Sequence, residues 1–281
     1  MHGEDQQQSD DYEIAIPSAD SLLESLRGVG YNTWTAIADI IDNSISADAN
    51  QVSLQFNWGG AKSWIAVIDN GHGMTDRQLS EAMKAGSRSP LEARSTSDLG
   101  RFGLGLKTAS FSQARRLVVG SRVNEGEVAV RCWDLDEVQR TREWRLIRTI
   151  SSYTLELLQS LLPAPHGTVV LWDKLDRIVG NASIEDRKTH DRFLELADRV
   201  GKHVSMVFHR YLEQPSPRLR VFLNGNDAAH GIKAWDPFLT AHVATQRTPQ
   251  EKINGPSGVV TVQGYVLPHK DRLDERELEE G

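Results

Sequence analysis

Ala36-Ile-Ala-Asp39-Ile-Ile-Asp42-Asn43, then Asp69-Asn-Gly71-His72-Gly73-Met74, then Gly100-Arg-Phe-Gly103-Leu104-Gly105-Leu106-Lys107 are the stretches whose reading decides the fold. The first has helical spacing, and Asp39 and Asn43, four residues apart, share one face of that helix. A carboxylate there can take a proton from an attacking water. An amide oxygen beside it is a hard ligand suited to Mg²⁺. The second stretch ends an apolar strand in a glycine turn, where Asp69 can accept a hydrogen bond from an exocyclic amine and glycines permit close approach. The third is a glycine-rich loop opening a helix, whose free amides and dipole favour phosphate. Lys107, in the first helical turn, adds positive charge.

The third stretch is not a Walker A loop, because Leu106 stands between Gly105 and Lys107 where that motif requires lysine directly after glycine. It is not the dinucleotide fingerprint either, since the glycine order differs and no βαβ unit surrounds it. Each element alone is weak. Asp39 and Asn43 could be two polar residues on an amphipathic helix, and His72 reads as exposed turn filler. The three together, in this order, are the parts an ATP site needs.

Outward from these stretches, periodicity predicts helices over 18–26, 33–46, 75–84, 103–112 and 154–162, with Trp34, Ile37, Ile41 and Ile45 as the apolar stripe of the second. Strands are expected at 51–57, 63–68, 117–122, 127–133, around 144–150 and at 168–172. Residues 86–100, rich in Ser, Arg, Gly and Pro, read as a mobile loop. This is an α+β pattern, a mixed sheet with helices packed on one face. Beyond a linker near 177–184, a long helix is expected over 184–211. Strands follow at 219–223 and 259–267, with Asn224-Gly225 as a hairpin turn.

The 281 residues carry a net charge of −7 and one cysteine, Cys132. A single cysteine excludes an internal disulfide and a cysteine-based zinc cluster, and its strand context makes it a packed thiol. No apolar run approaches the ~20 residues of a membrane span. The polar, acidic N-terminus lacks signal-peptide features, so a cytoplasmic location without membrane association is expected. The overall acidity argues against a general polyanion binder, although arginines cluster at 115–122 and 140–148.

The chain resembles the GHKL ATPase superfamily (gyrase B, the ninety-kilodalton heat-shock chaperone, histidine kinases and MutL). The wording of the first and third stretches most resembles MORC-like members. The match covers about 18–172. It implies a Bergerat-type ATP-binding sandwich followed by a partial α/β, transducer-like (S5-like) domain. The expected organisation is a disordered acidic N-terminus at 1–14, the ATP-binding domain at 15–176, an incomplete transducer domain at 185–270 and a charged tail at 271–281.

The resemblance implies ATP and Mg²⁺ as cofactors, with Asn43 holding the metal and Asp69 reading adenine. Ala47, Gly71, Gly73, Met74, Gly100, Gly103, Leu104, Gly105, Leu106, Lys107 and Thr168 would line the nucleotide. Asp39 and Lys107 would carry catalysis. Asp39 stands where hydrolysing members usually carry Glu, one methylene longer. Asp42 points about 100° away from Asn43 on the helical wheel and is the poorer base. The lysine that reaches the γ-phosphate from the second domain in such proteins is not placed, with Lys252 and Lys270 as candidates.

The expected function is slow ATP hydrolysis driving homodimerisation and clamp switching, in a DNA- or nucleoprotein-related setting. A non-hydrolysing ATP sensor and a chaperone-like ATPase are the alternatives. A histidine kinase is disfavoured, because only His2 precedes the site and no dimerising helical hairpin is present.

Overall fold

The computed structural model describes residues 17–28, 30–84, 105–213, 215–255 and 258–274. Residues 1–14, the whole 86–100 loop with Gly100, Gly103 and Leu104, and residues 275–281 of the expected tail lie outside the described residues, so the expectations placed on them are not addressed.

The first elements are α1 (Ala19–Arg27), α2 (Thr33–Ser46), β1 (Gln51–Asn57), β2 (Trp64–Asp69), α3 (Asp76–Met83) and α4 (Gly105–Gln113). They are followed by β3 (Arg116–Arg122), β4 (Ala129–Asp134), α5 (Leu135–Thr141), α6 (Ser152–Leu161) and β5 (Gly167–Asp173). The chain continues through α7 (Arg187–Val207), α8 (His209–Leu212) and β6 (Arg220–Leu223). Short strands β7 (Gln246–Arg247), β8 (Glu251–Gly255), β9 (Gly258–Val262) and β10 (Tyr265–Val266) close it.

Local chemistry sets the helix starts. Asn32 caps α2 by accepting the Thr35 N–H at 2.9 Å, a contribution of ~1 kcal/mol. Thr75 and Gln78 form a capping box on α3.

Six strands form one mixed sheet in the order β4-β3-β5-β2-β1-β6. All neighbours are antiparallel except β1 and β6. Alternation divides its side chains between two cores. On one face Leu54, Ile65, Val67, Leu117, Val119, Val170 and Trp172 meet α1, α2, α4 and α7, represented by Leu23, Ile37, Ile41, Phe111, Phe193 and Val200. On the other, Ala66, Ile68, Val118, Val169 and Leu171 pack beneath Leu158 of α6 and Leu162 just beyond it.

The mixed-sheet sandwich expected from the sequence is present. Its helices, however, do not keep to one face, because α6 covers the second. Gly120 makes room there: a Cβ at that position would stand 3.3 Å from Leu158 Cδ1.

Three further expectations are corrected. Residues 144–150 form only an isolated bridge, Cys132 with Ile147. The segment before them folds as α5, capped by Asp134, because Leu135 and Val138 bury on one side. Residues before 176 and after 185 share one sheet and one core. The β6 strand pairs with β1 as the edge of the same sheet, and Phe193, Val200, Val204, Phe208 and Val221 belong to the same core. Finally, Asn224-Gly225 returns the chain for a single bridge, Phe222 with Gly231, rather than a full hairpin. Asn224 adopts φ 53° and turns its side-chain oxygen onto the Phe56 N–H at 2.7 Å.

Candidate nucleotide site

At one end of the sheet, strand register assembles a polar row from residues far apart in sequence. Asp69, the last residue of β2, pairs with Thr168 of β5, and Thr168 pairs with Ser121 of β3. Directly opposed residues point to the same face, here the face that α2 covers. Thr168 Oγ1 and Ser121 Oγ are 2.9 Å apart. Ser121 Oγ also accepts the Met74 N–H at 2.8 Å and donates to the Gly167 carbonyl at 3.1 Å.

Asp69 is 5% exposed. Its Oδ2 accepts from Ser44 Oγ at 3.1 Å and its Oδ1 from the Gly71 N–H at 2.9 Å. Burial pushes its carboxyl above the usual carboxylate range, while the Gly71 and Ser44 donors pull it back. A carboxylate offers about four acceptor positions, so capacity is left for an amine from a ligand. That is the feature by which the site fits an adenine.

The glycines of the turn serve the protein's own packing. A Cβ on Gly71 would sit 2.7 Å from the Ala47 carbonyl. Gly73, at φ +71°, would place one 1.9 Å from the Arg122 carbonyl. Gly167, at φ +151°, would place one 2.3 Å from the Asp69 carbonyl. The group approaching closely at these positions is backbone, which draws α2, the 69–74 turn and the start of β5 together. The Ala47 carbonyl also accepts the His72 N–H at 3.0 Å. His166 closes the arrangement, with Nδ1 2.7 Å from the Gly71 carbonyl; since a carbonyl only accepts, Nδ1 carries the proton.

On α2, Asp39 is half-buried and Asn43 exposed. Among the described residues the Asn43 side chain makes no hydrogen bond, and no cluster of three or more His, Cys, Asp or Glu could hold a metal. The donor set therefore fits a cation held by one amide oxygen together with substrate phosphates and water, the habit of Mg²⁺. Asp42 is pushed up to about 6, first by burial and then by the charge of Asp39. The neighbouring Asp39 carboxylate, ahead of burial, holds the Tyr31 phenol above its ordinary range.

Lys107 is 2% exposed. Its Nζ donates to the carbonyls of Ala82 and Lys84, each at 2.8 Å, at the C-terminal end of α3 where carbonyls lack helical partners. Burial lowers its pKa to about 8. Its geometry is that of a tie between helices. Gly105 opens α4 with no described atom within 4 Å of where its Cβ would stand, and Leu106 packs against the main core.

The structure thus brings together Asn43, Ala47, Asp69, Gly71, Gly73, Met74 and Thr168. Sequence reading missed Ser44, Ser121, His166 and Tyr31. Ser44 adjoins Asn43, and its one signal was a small hydroxyl on the buried side of an apolar helix. Ser121, His166 and Tyr31 carry none, because their roles depend on register and on loop contacts.

The mixed sandwich thus sets the aspartate at the end of β2 against α2, the helix that carries Asn43. Residues 31–168 match the family model of the Histidine kinase-, DNA gyrase B-, and HSP90-like ATPases. The chain is also similar to ATPase morc-1 of Caenorhabditis elegans, at 25% identity over 254 residues. That alignment covers 77% of this chain and 30% of the relative, so the chain spans less than a third of that protein's length. No described helix is long and apolar enough to cross a membrane.

Proposed function

We propose that this protein binds ATP with Mg²⁺ and hydrolyses it slowly, using the cycle to switch a homodimer between open and closed states. The observation that carries this reading is Asp69. A carboxylate is kept almost wholly out of water at a strand end, with two donors fixing its orientation, which is costly unless a polar partner uses it. The family of residues 31–168 supports the same reading.

Asp69 and Thr168 would hold the base, and the amides opening α4 would face the phosphates. Asn43 would hold Mg²⁺, which supplies charge neutralisation at the phosphates when bound. Asp39 would take a proton from water as the water oxygen bonds to the γ-phosphorus. The bond from that phosphorus to the bridging oxygen breaks, its electron pair staying with ADP. A DNA or nucleoprotein client is part of the proposal, as the resemblance to MORC-like members implies. Lys252 and Lys270 remain the proposed γ-phosphate contacts from the C-terminal region.

Calorimetry with magnesium-ATP tests the core of this. Binding by wild type and its loss in Asp69→Asn are expected; no heat with either refutes the reading. Steady-state turnover of wild type against Asp39→Ala separates hydrolysis from sensing. A second reading, a non-hydrolysing ATP sensor, is favoured by the short side chain of Asp39 and predicts equal background rates. Sedimentation with and without a non-hydrolysable ATP analogue tests the dimer.

A further inference from the structure

We propose that His166 is a positioning residue for the choice of base. Its ring pins the Gly71 carbonyl, which keeps the Gly71 N–H on Asp69 and the remaining acceptor positions of that carboxylate aimed at the exocyclic amine of an adenine. This rests on the ATP-binding reading above and adds a residue to it.

Gly71 is the loose joint of the site. Its N–H is one of the two donors that orient Asp69, 2.9 Å from Oδ1. The position requires glycine, because a Cβ there would stand 2.7 Å from the Ala47 carbonyl. Glycine has the widest backbone freedom of any residue, so a donor carried on it holds its direction only when the chain is tied on both sides. The preceding residue is tied to the start of β1: Asn70 Oδ1 accepts the N–H groups of Asn50 and Gln51 at 3.1 and 2.9 Å. On the following side the tie is His166, with Nδ1 2.7 Å from the Gly71 carbonyl. The second donor on Asp69 is the Ser44 hydroxyl at 3.1 Å. It has one proton to give, and the Ile40 carbonyl, 3.3 Å from the same Oγ, competes for it. The Gly71 N–H is therefore the firmer guide, and His166 is what makes it firm.

His166 also belongs to the segment that carries the other base-side group. Two residues on, Thr168 opposes Asp69 across the β2–β5 ladder, and Gly167 between them packs on the Asp69 carbonyl. One short segment fixes both Thr168 and the turn that orients Asp69. The ring is half-buried, which shields its hydrogen bond from competing water. The contact lies on the base side of the site, so it bears on which purine binds.

The test compares wild type, His166→Phe and His166→Asn, with calorimetry for magnesium-ATP and displacement of ATP by magnesium-inosine triphosphate, which carries a carbonyl oxygen in place of the exocyclic amine. Wild type is expected to prefer ATP. His166→Phe, which keeps a ring but no donor, is expected to narrow that preference roughly 2- to 10-fold through ATP affinity alone. His166→Asn, which keeps an N–H at similar reach, should restore most of it. Without nucleotide, the Gly71 amide should exchange faster with solvent in His166→Phe and at the wild-type rate in His166→Asn. Nitrogen-15 NMR of the unmodified protein should find the proton on Nδ1 of His166. An equal loss for both nucleotides, a His166→Asn variant that behaves like His166→Phe, or a ring protonated on Nε2 alone overturns the proposal. A wild type that binds neither nucleotide, or both alike, means that the reading of Asp69 as the adenine contact has failed, and His166 with it. A wild type that prefers ATP, with preference and Gly71 exchange unchanged in His166→Phe, means that only His166 was misassigned.

Discussion

The Asp42 carboxyl is pushed up to about 6 by burial and by the charge of Asp39. A carboxyl whose folded pKa lies above its unfolded value, about 4, keeps its proton longer when folded. Its contribution favours folding at low pH and is lost as pH rises from about 4 to about 6. Above that window the folded state carries a poorly solvated charge. Asp42→Asn is therefore expected to leave the melting temperature of the nucleotide-free protein unchanged near pH 4 and to raise it near pH 7.5. Thermal melts across that range check this, and an equal shift at both ends counts against it. Asp39 and Asn43 were legible at this scale because two polar residues interrupt an apolar helix at a spacing of four. Tyr31 and Ser44 were not, because a partner eight or twenty-five positions away leaves no periodic mark.

Two ties between elements make their own predictions. Lys107 joins α4 to the end of α3 through two carbonyls and buries its whole stem. Lys107→Ala removes those donors and leaves a cavity, and is expected to cost about 2–4 kcal/mol, read by urea denaturation. On the opposite face, Leu158 is fully buried over Gly120. Leu158→Ala should cost about 2–5 kcal/mol while leaving magnesium-ATP affinity within twofold, since the polar row at Asp69, Thr168 and Ser121 faces α2 instead. A loss of binding matching the loss of stability would show that α6 shapes the site. Helix existence was legible for these elements, since caps and apolar spacing are local. Which face α6 would cover was not, because a helix stripe states that it must be buried and not against what.

For the whole molecule, the decisive fact is that α7 and β6 complete the first core. Phe193, Val200, Val204, Phe208 and Val221 are all at most 2% exposed. A chain cut after residue 184 is expected not to fold, as judged by circular dichroism and proteolysis. A chain cut after residue 244 should keep its melting temperature within several degrees, because every residue of β8 and β9 is exposed. If the shorter fragment folds and binds nucleotide, the continuous core described here is wrong.

The order of the three motifs, the helix and strand periods and the glycine turns were fixed by sequence alone, since each follows from short-range sterics and hydrogen bonding. They sufficed for the class of fold, for setting Asp39 and Asn43 on one helix and for setting Asp69 at a strand end. Tertiary structure alone decided that Thr168 and Ser121 lie beside Asp69, that Gly71, Gly73 and Gly167 yield space to backbone, and that residues beyond 185 close the first sheet. Those outcomes depend on strand register and on which apolar faces meet, and both are settled by packing between segments 169 residues apart, as Gln51 is from Arg220, where no local pattern reaches.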